Sequence, residues 1–260
     1  MVLCIAQGMT VAVPAPGRFP WLERLGSRWW ALIPVAAIVG TVVGVGAEAA
    51  TADVLTYLAL VTTPPLAAVA LGYAARGARR PAALLVVPLT AAAWVWRDEL
   101  AGEIAAMLLI LAACTTLGLL LEAVAPDLWL KAGLLVFAAA DTYLVAGELL
   151  QQPNAVLNAA APGGGLPQFQ RVSFGSAEMG YGDVFAAALL GALLARERRR
   201  QMHGAALATV LALVFGLLFV AVDTLPATVP VAITLIVLEL RARRPSRRPS
   251  RPRASGRGSP

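Results

Sequence analysis

Residues 178–195 read EMGYGDVFAAALLGALLA, a run that is apolar past Glu178 except for Asp183, which follows Gly180, Tyr181 and Gly182. A carboxylate in such a run is costly: roughly 2.5 to 3.5 kcal/mol at the centre of a transmembrane helix on insertion scales. Whether this run crosses a bilayer is decided by the chain around it.

The 260 residues are 59% hydrophobic and 14% charged, and their mean hydropathy is +0.74. That leaves too little polar side chain to coat a soluble globule, and the reading is an integral membrane protein. The net charge of +6 does not call for nucleic acid, because the arginines gather at the ends of apolar runs and in the C-terminal tail, where they set topology. Cys4 and Cys114 stand far apart without metal-ligand spacing, and His203 is the single histidine, expected in a loop. No metal and no organic cofactor is implied.

Eight apolar stretches are candidate spans: 29–47, 54–74, 81–96, 103–124, 128–150, 177–195, 204–222 and 225–240. The expectation is an all-α, polytopic transmembrane bundle. It is divided into an N-terminal interfacial segment (1–28), a four-helix part (29–127), a second four-helix part (128–240) and a disordered basic tail (241–260). The opening stretch, Val2 to Val13, is too short to span. Pro64 and Pro65 should bend the second span. Basic clusters at Arg18 to Arg28, ARGARRP, RERRRQMH and the tail alternate as eight spans require, with both termini and the C-terminal tail cytoplasmic. The segment 151–176, with its APGGGLP core, is then an outside loop, flexible and turn-prone.

Away from span ends, two ionisable groups remain, Asp141 and Asp183. Asp141 lies about nine residues from the outer end of its span and Asp183 about six, hence about 13 Å and about 9 Å deep. On neighbouring antiparallel helices they reach a similar level. Two adjacent carboxyls share one proton, so that the ionised one can deprotonate water while the protonated one polarises a peptide carbonyl. Gly180 and Gly182 let another chain approach the acid, and give an extended, locally unwound substrate somewhere to lie. Near the last span, TLPATVP (224–230) supplies prolines that free backbone groups, tolerable at depth where they line a cavity.

Taken together, these residues resemble the presenilin and signal peptide peptidase family of intramembrane aspartyl proteases. That family carries one catalytic Asp in a YD motif, a second in GxGD on the following helix, and a PAL motif opening its last helix. GYGD at 180–183 matches in full; Asp141, 42 positions earlier (183 − 141), matches the first acid by order and placement, with Ala140 where the family has Tyr and Tyr143 close by. Pro226 and Ala227 match the third motif, and Thr228 replaces its Leu. The resemblance covers roughly the last half of the chain. It implies Asp141 and Asp183 as catalytic residues, and Gly180, Tyr181, Gly182, Pro226, Ala227 and Thr228 as substrate-binding. The implied partners are the lipid bilayer and a transmembrane peptide or membrane-protein substrate. Family members have nine spans; the deficit here falls near the N-terminus. The outside loop and cytoplasmic C-terminus resemble the signal peptide peptidase branch, which implies type II membrane peptides as substrates.

Two other readings use the same acids. Prepilin peptidases also carry a membrane GxGD, but with Lys two positions on, where this chain has Phe185, and with chemistry at the cytoplasmic face. A proton- or cation-coupled carrier would use both acids as a relay, without obvious need for the proline-bearing segment.

Overall fold

The computed structural model describes residues 1–23, 48–147, 156, 160, 162–218 and 226–243. The expected first span, 29–47, lies outside the described residues, as do residues 244–260 of the tail and the ends of three other spans. What is described is mostly helical. α1 runs Val2–Ala12, the short α2 Pro20–Glu23 and α3 Glu48–Val69, which passes into a π-helical turn, Ala70–Ala74. A 3-10 stretch, Arg80–Leu85, leads into α4, Val86–Val95; α5 is Leu100–Val124 and α6 Asp127–Ala146. A hairpin of β1 (Arg171–Phe174) and β2 (Ala177–Gly180) precedes α7 (Tyr181–Leu194), α8 (Arg198–Leu217) and α9 (Val229–Arg243).

Four helices among the described residues are long and apolar enough to cross a membrane: Ala52–Ala74, Leu100–Val124, Asp127–Ala146 and Arg198–Leu217. Their outward faces are apolar too. On α3, Val54, Leu58, Val61 and Val69 form an exposed stripe, Val61 being 70% exposed, and Val210, Val214 and Leu217 do the same on α8. Helical spacing puts each set on one side, and water does not favour such surfaces.

α7 is the central element. From Val184 to Leu194 its side chains are almost all buried, as an apolar-all-round helix requires. Small residues bring its neighbours close. A side chain at Gly118 of α5 would meet the Ala188 carbonyl at 2.9 Å, and one at Gly191 would meet the Val11 carbonyl of α1 at 2.5 Å.

Three expectations are corrected. Residues 177–180 are not helical: they form β2, so the helix expected as the sixth span begins at Tyr181 and the fold is not purely α. The hairpin turns at Gly175, whose φ of +61° suits glycine. Val2–Ala12, expected as an entry segment outside the spans, is a helix packed into the bundle, with Leu3, Ala6, Gln7, Gly8, Thr10 and Val11 inside; α7 is only 14 residues long, and α1 packs against it. His203 stands exposed on α8 rather than in a loop. Pro64 and Pro65 lie inside α3, which continues through them. Each lacks an N–H, so the carbonyls four residues earlier have no helical donor there.

The two ends of the bundle differ in charge. One end gathers Arg76, Arg79, Arg80, Lys131, Arg196, Arg198, Arg199, Arg200, Arg241 and Arg243; at the other, the basic residues Arg97 and Arg171 stand beside Asp98 and Glu178 respectively. The basic end is tied by Gln201, which is fully buried. Its amide nitrogen donates to the carbonyls of Pro14 (3.0 Å) and Gly191 (3.1 Å), and its oxygen accepts from Arg76 Nε (3.0 Å) and Arg198 Nη1 (3.1 Å). Both donors and both acceptor positions of one amide are thereby used. At the opposite end, the glycine-rich segment forms a turn at Gly163–Gly165. It is docked there: Arg97 Nη1 donates to the Gly165 carbonyl (2.6 Å), and the Gly163 amide to the Tyr57 hydroxyl (3.2 Å).

Candidate active site

The hairpin delivers the chain directly into GYGD. β1 and β2 pair antiparallel, Arg171 opposite Gly180 and Val172 opposite Met179, and the Tyr181 amide extends the ladder by donating to the Gln170 carbonyl (3.2 Å). Gly175 at the turn donates to Glu103 Oε2 of α5 (2.8 Å), pinning the hairpin to the bundle. α7 then starts at Tyr181, which puts Asp183 in its first turn rather than well inside a span. Asp183 Oδ2 accepts from the Gly180 amide (3.1 Å), the return half of a capping box. An acid in the first turn also meets the positive end of the helix dipole.

Asp141 comes from α6. One turn earlier, Phe137 packs against Gly182, where a Cβ would lie 3.0 Å from the ring edge. Residues four apart share a helix face, so the contact that seats Phe137 on Gly182 turns Asp141 toward the start of α7. α6, which carries Asp141, packs against α7, which carries Asp183. Both residues are half-buried.

The third part is the segment before α9. Thr228, buried, donates from Oγ1 to Asp141 Oδ2 at 2.5 Å, the short length expected for a hydroxyl on a carboxylate. Its own carbonyl accepts from the Ala232 amide (3.0 Å), and the Pro226 carbonyl accepts from Val229 (3.3 Å), so the segment is wound into the helix start. The Ala227 carbonyl has no such helical donor; Gln7 Nε2 of α1 fills that role at 2.8 Å. Gln7 is buried, and a buried amide needs a partner of this kind.

Of the residues singled out from the sequence, Asp141, Asp183, Gly180, Gly182, Ala227 and Thr228 thus stand around one end of α7, with Pro226 leading into the last helix. Tyr181 is different: it packs on the apolar core shared with Phe185 and Met179, and its carbonyl faces Cys114 Sγ of α5 (3.9 Å). Gln7 was not among the expected residues. Gln7 is the one amide side chain in VLCIAQGMTVA, and that is the signal for it.

Two carboxyls on facing helices, one oxygen of each held by a protein donor, form a site able to position water and exchange a proton. Comparison with known protein families, with curated proteins and with solved structures gives no match.

Proposed function

We propose that the chain is an intramembrane aspartic protease of the presenilin and signal peptide peptidase type, hydrolysing peptide bonds within transmembrane segments. In this reading it is a bundle of about eight spans in the cell membrane, with the basic end and the C-terminus on the cytoplasmic side. The observation that carries the reading is the convergence of Asp141, Asp183 and Thr228 from three elements onto the end of α7 where the hairpin enters.

One carboxylate takes a proton from a water molecule, and the water oxygen attacks the carbonyl carbon of the scissile peptide. The other carboxyl donates its proton to the carbonyl oxygen, giving a neutral diol. On collapse the proton gained from water passes to the amide nitrogen, a hydroxyl of the diol returns its proton to the other carboxylate, and the C–N bond breaks, so that an amine and a carboxyl group leave and the pair again holds one proton. Thr228 holds one oxygen of Asp141 in place during these transfers.

The test is incubation of the purified protein with a transmembrane peptide, fragments being identified by mass spectrometry, for wild type, Asp141→Ala and Asp183→Ala. Cleavage by wild type alone supports the proposal. Cleavage that survives either substitution removes it, and cation-dependent uptake into vesicles needing both acids favours a carrier.

A further inference from the structure

At the basic end, a cleft of about 440 Å³ opens between the turn after α1 and the turn after the π-helical segment, lined by Pro16, Gly17, Arg18, Tyr73, Arg76 and Gly77. Its walls are joined by backbone bonds: Ala15 donates to the Ala74 carbonyl (3.2 Å) and Arg76 to that of Val13 (2.9 Å). Tyr73 forms its side, with the Phe19 ring edge-on at 5.7 Å, the Arg18 guanidinium 5.4 Å from its centroid, and its hydroxyl donating to the Arg18 carbonyl. A side chain at Gly17 or Gly77 would meet nothing within 4 Å, so the floor at both positive-φ turns is open.

Positive charge gathers in this cleft. Three other cations of the same end meet carboxylates: Arg196 with Glu122 (3.1 Å), Arg200 with Glu239 (2.8 Å) and Lys131 with Glu239 (3.1 Å). Arg76 instead donates to the neutral oxygens of Gln201 (3.0 Å) and Ala195 (2.6 Å), and Arg198 to those of Ala12 (2.7 Å) and Gln201 (3.1 Å). Burial, then the positive charges of Arg198 and Arg18, hold the Arg76 guanidinium below the usual arginine range. Among the described side chains no carboxylate offsets these three charges, and an anion between Arg18 and Arg76 would. The exposed Trp21 of α2 adjoins this turn in sequence, a residue type that anchors at the headgroup level of a bilayer.

We propose that this cleft binds a phosphate group through Arg18 and Arg76, carried either by an anionic lipid headgroup or by a soluble phosphate. The site is independent of the proteolytic reading, and stands or falls without it.

The test uses the full-length protein in two arms. In phosphatidylcholine nanodiscs, inorganic phosphate is titrated while the thermal unfolding midpoint is followed. In the second, nanodiscs also contain phosphatidylglycerol, and native mass spectrometry counts the molecules that stay bound. Each arm compares wild type with Arg18→Gln, Arg18→Lys and Arg199→Gln, the last being an exposed arginine of the same end. Arg18→Gln should weaken binding about tenfold, the effect of one charge-assisted hydrogen bond. Arg18→Lys should keep part of the binding, and Arg199→Gln all of it. Phosphatidylglycerol retention that depends on Arg18 identifies the lipid source; a phosphate-induced rise that depends on Arg18 identifies the soluble one. If neither probe binds wild type, or if Arg18→Gln binds as wild type does with its unliganded midpoint unchanged, the proposal is overturned. Equal loss in Arg199→Gln also overturns it, since diffuse charge then suffices.

Discussion

Thr228 donates its hydroxyl proton to Asp141 Oδ2 at 2.5 Å, joining the last helix to the helix that carries the first acid. The position is the one where the resembling family has a leucine, which could make no such bond. Thr228→Val keeps shape and removes the donor. It should lower the cleavage rate roughly tenfold to a hundredfold, the effect of losing a hydrogen bond to a charged group, while Thr228→Ser retains most of it. Steady-state kcat on one peptide checks this; a Val variant as fast as wild type would make the contact incidental.

Gln7 tethers the Ala227 carbonyl from the far side of the same segment. Gln7→Leu leaves that carbonyl without its donor and should cost about 1 to 3 kcal/mol. If the tether positions Thr228, activity falls further than the fraction unfolded explains, and Gln7→Asn, too short to reach, behaves like Leu. Thermal midpoints measured beside kcat separate the two effects.

The Gln201 node gives a prediction about stability alone. Gln201→Leu fits the volume but strands the Pro14 and Gly191 carbonyls and the Nε donor of Arg76. The loss should be about 3 kcal/mol or more, since several buried polar groups lose partners together. Denaturant titration of the reconstituted protein measures it, and cleavage per folded molecule should be unchanged because the node lies at the end of α7 remote from Asp183.

The sequence made the helices legible and the hairpin not, for a physical reason. Apolar length marks Leu100–Val124 or Asp127–Ala146 whichever neighbours they have, because hydrocarbon acts on each span alone. In SFGSAEMG the apolar residues are too few to outweigh the adjoining run, so Ala177 to Gly180 reads as the start of a helix, although the Gly-Ser pair between short segments is a hairpin signal. Asp141 and Asp183 stood out because charge is rare at depth. Gln7 and Thr228 are neutral and cheap to place, and their partners are 220 and 87 positions away; only the folded chain pairs them. Val2–Ala12 is too short for a length test that does not apply to a helix packed on one side against others.

The most direct test of the central claim compares cleavage rates of Asp141→Asn, Asp183→Asn and the double variant, each shown to be folded by its thermal midpoint. Two acids that share one reaction act as a unit, so either single change should remove as much activity as both together. Substantial cleavage by either single variant, or losses that multiply in the double variant, would contradict the account.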